Sequence, residues 1–412
     1  MPCGRRLPAS RVNAAKAERD EHALSLASPR RALSHLSAGG SERISSDEPP
    51  CVFGPPRWDW SRVERVLLVR LRSIGDAVLA TPAIHALRRM LPDARIDLLL
   101  EDWVAPLFDG PREASGIISV PRGSLSARLA LARKLRAARY DVAFDLHGGT
   151  TASLLTFASG ARQRVGYRHY RLSRLLNHRA PPPASLWGRA ELHSVEQQLG
   201  LLGFVGVPVS DCPPTRLAPS HTAEQAIAAR LAASGLATYE RLALVHPAAA
   251  FESKRWSTEG FARIVEHLHK RGLSPIAIAA RHEAGMLSAL RQMARVPVTT
   301  FADLPLPEVV ALAARSQLFV GNDSGIAHVA AALEVPVVVI FGSSNVVHWR
   351  PWTRAPAEIV QHVVPCGPCP GYTCAEAQQF ACVRGVTVEM VLAAAERVLA
   401  ARRDRPSATG PR

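Results

Sequence analysis

Short apolar runs alternate with helical patterns along most of this 412-residue chain, which predicts an α/β protein of two doubly wound, Rossmann-like domains facing a central cleft. Three observations carry that expectation. The apolar runs are short and continuous, as in parallel strands covered by helices on both faces. The pattern occurs twice, on either side of a proline-rich stretch. The length suits two domains of ordinary size.

Residues 1–60 are polar, rich in Ser, Ala, Arg and Pro, and show no sustained period, so they read as a disordered extension or the product of a misplaced start codon. The first domain is expected over 61–212. Its strands fall at 66–69, 96–100, 117–120 and 142–144, with helical patterns at about 76–90 and 125–138. Pro208, Pro213, Pro214 and Pro219 mark a connection, and 213–238 reads as a linker. The second domain is expected over 239–400, with strands at 242–245, 275–278, 318–320 and 337–341. Residues 401–412 read as a tail.

With 47% hydrophobic and 21% charged residues, the chain is too apolar to be mainly disordered. No apolar run approaches 18 residues, and the N-terminus lacks the apolar centre of a secretory signal, so a cytoplasmic protein is expected. Seven cysteines, four of them between Cys366 and Cys382, are too few and too clustered for a secreted disulfide framework. The net charge of +15 is concentrated: residues 112–190 hold fourteen Lys or Arg against Glu113, Asp141 and Asp145. Within it, Arg162, Arg164, Arg168, Arg171, Arg174 and Arg179 interleave with Tyr167 and Tyr170. The chain prefers Arg to Lys throughout, so coding bias contributes. A functional cluster would meet an acidic partner: lipid head groups, an acidic sugar or nucleic acid.

Ligands of doubly wound sheets bind beyond the carboxyl ends of the strands. After the first strand comes Arg72-Ser-Ile-Gly-Asp-Ala-Val-Leu-Ala-Thr-Pro82, which is neither a dinucleotide loop nor a Walker loop. Asp76 stands at its helix start, as a cap or as a carboxylate able to accept a proton. After the 142–144 strand, Asp145-Leu-His147-Gly148 offers an acid and an imidazole, with glycines that leave space for substrate. In the second half, Lys254 is one of four lysines in the chain and suits a phosphate. Glu283 could accept hydrogen bonds from a ribose or a base. The stretch Gly321-Asn-Asp-Ser-Gly-Ile-Ala-His328 hands a strand to a helix that Asp323 or Ser324 would cap. Gly325 would admit a ligand to the backbone, the first-turn N–H groups suit a phosphate, and His328 lies one turn along. Three strand ends of one domain thus converge on a ligand with phosphates and a ribose, for which a nucleotide is the natural candidate.

These residues resemble a family. Ser73-Ile-Gly-Asp76, Asp145-Leu-His-Gly148, Lys254-Arg-Trp256, Asn322-Asp-Ser-Gly-Ile-Ala-His328 and Phe341-Gly342 are similar in order and spacing to the ADP-heptose:lipopolysaccharide heptosyltransferases, glycosyltransferase family 9, over about residues 63–400. The resemblance implies a GT-B fold with acceptor on the first domain and nucleotide-sugar on the second, and an inverting reaction that needs neither metal nor other cofactor. The sequence holds no Asp-x-Asp of the kind that binds a divalent ion in many other glycosyltransferases. By the resemblance, Asp76 is the general base, Lys254 and the backbone at Ser324 and Gly325 hold the diphosphate, Asp323 takes sugar hydroxyls, His328 orients that group, and Glu283 binds the ribose. Asp145, His147, Arg168 and Arg171 fall to the acceptor. The partners implied are an ADP-sugar, an acidic lipid-linked core oligosaccharide and the anionic cytoplasmic face of the inner membrane, with no nucleic acid. The loop Phe341-Gly-Ser-Ser-Asn345 is less Pro- and Thr-rich than the family's usual form.

Cys366, Cys369, Cys374 and Cys382 are spaced as a tetrahedral zinc site would require, although structural thiols under a Pro- and Gly-rich loop are the preferred reading. Trp349 and Trp352 read as packing under the cleft. Two further function classes stay open: a nucleotide-sugar epimerase of the same architecture, which has no use for the basic segment, and a nucleic-acid binder, which has no use for Asp76, Lys254 or Asp323.

Overall fold

The computed structural model describes residues 54–123, 125–236, 241–369, 374 and 379–403. Most of the expected extension and tail, residues 1–53 and 404–412, lies outside the described residues. Residues 54–60, which composition assigns to the extension, belong to the fold. Trp60 is buried, and its indole N–H donates to the Val205 carbonyl at 3.0 Å.

The described strands form two six-stranded parallel sheets. The first contains β1 (Arg65–Val69), β2 (Arg95–Glu101), β3 (Gly116–Val120), β4 (Val142–Asp145), β5 (Gln163–Tyr167) and β6 (His178–Ala180), in the order β3-β2-β1-β4-β5-β6. The second contains β7 (Leu242–His246), β8 (Ser274–Ile278), β9 (Thr299–Phe301), β10 (Ser316–Asn322), β11 (Val337–Phe341) and β12 (Ala357–Gln361), in the order β12-β11-β10-β7-β8-β9. The two orders are the same topology. Successive side chains point to opposite faces of a strand, so Leu67 and Val69 feed one layer while Val66 and Leu68 feed the other. The Val66 layer is continuous with Leu244, Phe319 and Val339 of the second sheet, so one apolar cluster crosses from domain to domain.

The helices that matter for the site are α1 (Ile74–Val78), α2 (Thr81–Met90), α3 (Leu125–Ala137), α4 (Thr150–Ala158), α5 (Ser194–Gly203), α6 (His221–Ala233), α7 (Leu306–Arg315), α8 (Gly325–Ala332) and α9 (Val346–Trp349). The single helix expected at 76–90 is two, because Pro82 suits a first turn and restarts the helix at Thr81. The expected linker 213–238 is largely helix α6: the Ser220 hydroxyl accepts from the Ala223 N–H, and Ile227 and Leu231 are buried where α6 meets α7. What crosses between domains is the short stretch before it. Thr215 donates through N–H and Oγ to the Trp352 carbonyl, the Trp352 indole donates to the Pro213 carbonyl, and the Leu217 N–H donates to the Ala332 carbonyl.

In each sheet the first and fourth strands are neighbours, and there the chain direction of the winding reverses. The helices that leave those points, α1 after β1 and α8 after β10, pack against one another across the domain boundary. The approach depends on two glycines. A Cβ on Gly325 would stand 2.8 Å from the Ile74 Cβ and 3.2 Å from the Gly75 nitrogen, and a Cβ on Gly75 would stand 2.8 Å from the His328 ring. The side of Gly325 where a Cβ would stand is therefore covered by α1 and is not open to a ligand. We predict that Gly325→Ala costs about 1–3 kcal/mol through overpacking and separates the domains. Thermal melting and the radius of gyration from small-angle scattering would show it, and unchanged values in both would count against the contact.

Candidate active site

On the first-domain side the polypeptide leaves β1 through Arg70 and Leu71, passes Arg72 in a left-handed conformation (φ 88°), and starts α1 at Ser73. Asp76 completes a capping box. Its Oδ2 accepts from the Ser73 N–H at 3.2 Å and the Ser73 hydroxyl at 2.8 Å, while Ser73 Oγ accepts from the Asp76 N–H. Its other oxygen is ion-paired with Arg70. Arg70 is itself buried and donates from Nη1 to the Leu146 carbonyl at 2.8 Å, while its Nε has no hydrogen-bond partner. Burial opposes the Asp76 charge, but Arg70 and the Ser73 hydrogen bonds outweigh it, and the carboxyl sits below its ordinary range. Asp76 is thus both cap and ionised carboxylate.

His147 stands beside this pair. Burial, reinforced by Arg70, holds its pKa at about 3, so the imidazole is neutral at neutral pH. Asp145 does not join it, a correction to the expected acceptor contact. Its carboxylate is fully buried and accepts from the His147 N–H (3.1 Å), the Gly148 N–H (2.7 Å) and the Ser153 hydroxyl (2.6 Å). It holds the turn that carries His147. Gly148 is left-handed (φ 80°) and the Tyr170 ring covers the place of its missing Cβ, so no space for substrate opens there. Tyr167 and Tyr170 are core residues and do not share a surface with the arginines around them. Arg162, Arg168, Arg171, Arg174 and Arg179 are exposed, while Arg164 is half-buried and donates to the Leu175 and Ala161 carbonyls.

On the second-domain side Lys254 ends a short 3-10 turn, and its Nζ lies 3.0 Å from Asp323 Oδ2. Asn322 is buried and structural: its Oδ1 accepts from the Trp256 N–H at 3.1 Å and its Nδ2 donates to the Pro247 carbonyl at 2.7 Å, tying β10 to the loop after β7. Ser324 occupies the N-cap of α8, yet its side chain makes no capping bond; Oγ instead meets His246 Nδ1 at 3.2 Å. The start of α8 is therefore left without a side-chain acceptor, as an anion site requires. His246 is kept neutral by burial, with its pKa lowered to about 4. Glu283 closes its own turn by accepting from the Ala280 N–H at 3.3 Å, with Arg255 at 4.0 Å.

His328 links the halves. It is buried on α8 against Gly75, its Nδ1 has no partner, and it feels the charges of Asp323, Asp76 and Lys254 together. Two residues escaped the sequence reading. Arg70 directly follows an apolar strand, a position that could have flagged it. His348, on α9, carries no such signal; its Nδ1 lies 3.1 Å from the Leu192 carbonyl, and both Arg70 and Asp76 influence it. Trp352 stacks on His193 with ring centroids 4.5 Å apart, packing that ties the domains as expected of it.

Among the described residues no three His, Cys, Asp or Glu are arranged to hold a metal ion. Cys366 is exposed and Cys382 buried, and burial, with the three other thiols nearby, raises the Cys382 thiol above its ordinary value. The residues around Cys374 lie outside the described residues.

The neutral histidines make stability pH-dependent with a definite sign. His147 and His193 have pKa values near 3 and His246 near 4 in the fold, whereas unfolded histidine titrates near 6.5. Below about pH 6.5 the unfolded chain binds protons that the folded chain does not, so stability is lost as pH falls. Each such proton is worth about 1.4 kcal/mol per pH unit, so we expect the unfolding free energy to drop by about 1.4–4 kcal/mol between pH 6 and pH 5. Denaturant titrations at both values would test this, and a flat profile would mean that these histidines titrate normally.

Comparison with known proteins agrees with this geometry. Residues 128–379 match the family described as Glycosyltransferase family 9 (heptosyltransferase). Lipopolysaccharide heptosyltransferase 3 of Escherichia coli (strain K12) is 27% identical over 300 residues, which is 69% of this chain and 84% of the relative. Two solved structures share the fold: the glycosyl transferase family 9 protein from Veillonella parvula DSM 2008 (TM-score 0.71, 18% identity, 82% of this chain and 97% of that one) and E. coli ADP-heptose lps heptosyltransferase II (TM-score 0.67, 22% identity, 82% and 99%). With a match across most of its length and two doubly wound domains that meet at their strand ends, this GT-B chain belongs to glycosyltransferase family 9, the heptosyltransferases.

Proposed function

We propose that the protein moves a heptose, or a related sugar, from an ADP-sugar to a lipopolysaccharide core acceptor with inversion at the anomeric carbon. The observation that carries this reading is the meeting of α1 and α8, with His328 between an ionised carboxylate of one domain and a cationic, amide-rich strand end of the other. Asp76 accepts the proton of an acceptor hydroxyl. The freed oxygen bonds to the anomeric carbon, and the bond from that carbon to the phosphate oxygen breaks, with its electron pair leaving on ADP. Lys254 and the first N–H groups of α8 stabilise the negative charge that grows on the diphosphate, in the role a divalent cation plays in many glycosyltransferases. Asp323 positions Lys254 and faces the sugar, Ser324 and Gly325 supply backbone donors, and Glu283 takes the ribose.

The basic surface of the first domain, including Arg168 and Arg171, receives an acidic, lipid-linked acceptor at an anionic membrane and not nucleic acid. No described helix is long and apolar enough to cross a membrane. In the proposed reading the attachment is peripheral, at the cytoplasmic face. Incubation with ADP-heptose, with and without a truncated core acceptor, separates the alternatives: transfer supports the reading, isomerisation of the free donor indicates an epimerase, and inertness overturns both.

Asp76→Asn keeps much of the capping ability but removes the base, and we expect kcat to fall by about 10²-fold or more with donor KM nearly unchanged. A near-normal kcat would take Asp76 out of that role. For the donor site, Lys254→Ala should weaken ADP binding in calorimetry by about 1.5–3 kcal/mol, through loss of a charge-assisted hydrogen bond. Equal affinity would count against a phosphate contact.

A further inference from the structure

The two helices α3 and α4 lie side by side on one face of the first sheet, and α4 also touches the turn at Ser173–Leu175. Inward, α4 supplies Ala152, Leu155 and Thr156 to the core. Outward, it carries Leu154 and Phe157, one turn apart and 50% and 49% exposed, and α3 carries Leu129, 51% exposed. The core does not need these three side chains. Packing therefore leaves their hydrophobicity unexplained, and two neighbouring helices present all three as exposed apolar side chains.

What surrounds these side chains identifies their partner. On one bank, α3 exposes Arg133, Lys134 and Arg136, and a Cβ on Gly160, just past α4, would stand 2.8 Å from the Arg136 guanidinium. On the other, the Arg164 guanidinium lies 5.5 Å from the Phe157 ring centroid, Arg174 lies within the touching turn and Arg171 just before it, both exposed. No Asp or Glu occurs between Asp145 and Glu191 or within α3. Leucine and phenylalanine between two acid-free basic banks match a bilayer with anionic head groups: the cations meet the phosphates and the apolar side chains enter the acyl boundary. A nucleic acid would use the cations but would leave Leu129 and Leu154 in water.

We infer that the outer face of α3 and α4, through Leu129, Leu154 and Phe157, is a membrane-insertion surface for anionic bilayers. The inference rests on the proposed membrane-borne acceptor and deepens it, because it adds an apolar anchor to a charge attraction and fixes which face is down. The helix α4 begins three residues after His147, so docking this face brings the candidate site to the membrane that would carry the acceptor.

The test uses the full chain with phosphatidylcholine vesicles, with and without phosphatidylglycerol. The parent should co-sediment with the anionic vesicles and keep part of that binding in high salt, which screens the arginines but not the apolar contact. L154S/F157S should lose tenfold or more in partitioning and all of the salt-resistant part, whereas R168E/R171E/R174E should lose mainly the salt-sensitive part. A second variant, F157W, should show blue-shifted extra emission that brominated lipid quenches. Turnover on a deacylated, water-soluble core acceptor should be unchanged in L154S/F157S, while the KM for acceptor embedded in vesicles rises. Equal vesicle binding by L154S/F157S and the parent, an unquenched F157W, or a parent dimer that L154S/F157S dissociates would each overturn the inference. A parent that binds vesicles but transfers nothing to the soluble acceptor would sink the reaction and leave the surface standing.

Discussion

The approach of α1 to α8 is the constraint on which the rest of the structure depends. Two sheets of identical order each present a winding reversal at the carboxyl ends of their strands, and the helices leaving those points meet end to flank at Gly75 and Gly325. Two helix N-termini so close would concentrate partial positive charge. Each brings its own acid, Asp76 within α1 and Asp323 just before α8, and each acid has its own cation, Arg70 and Lys254. The interface is thus a pair of similar ion pairs facing one another, with apolar packing continuous behind them.

The pairs differ in how they are held, and that difference suits different chemistry. Asp76 is bound on three sides by Ser73 and Arg70 and is kept charged against its burial. In the proposed reaction that rigidity would fix a direction for proton transfer and limit basicity at once. Lys254 ends a short turn and leans on one carboxylate, while the start of α8 lacks a side-chain cap because Ser324 faces His246. An incoming diphosphate would find donors not already committed to the protein. The histidines around both pairs are neutral, so they add polarity without a further cation, and in a site of low dielectric that keeps Arg70 and Lys254 the dominant charges.

Much of this could be read from the sequence where a polar residue interrupts an apolar strand end. Asp323 was visible for that reason, Asp76 as an acid at the start of the helix after a strand and Lys254 as a rare lysine in the loop after one, and the helices that start beside Asp76 and Asp323 pack against each other. Asp145 had the same signal and a different fate, because the left-handed Gly148 turns the chain back and delivers two N–H groups to its carboxylate. Pattern shows that such a residue sits at a strand end but not which way the following turn points. Arg70 was missed although its partner Asp76 is only six residues on, because the Leu146 carbonyl that holds it in place is 76 residues away; His348 was missed because the Leu192 carbonyl beside it is 156 residues away. The edge strands β6 and β9 are only three residues long, too short for any period, and β5 begins with Gln and Arg. In α6 the preceding prolines concealed a helix that the Ser220 cap and its alanines encode.

The abundant arginine shows why composition alone decides so little. Arg88 spends its guanidinium on the carbonyls of Leu91, Pro92, Ala94 and Glu113, and Arg164 closes its own loop; both are part of the scaffold. Arg168, Arg171 and Arg174 look the same in sequence but end in solvent, on a stretch where no acid balances them. Coding bias accounts equally for both groups and so does not explain the absence of any acid between Asp145 and Glu191. Their position beside exposed apolar side chains, next to the helix that follows His147, is a property of the fold. A surface that combines charge and hydrophobicity in that way would hold the first domain at a boundary between water and lipid, with its strand ends available to whatever the boundary carries.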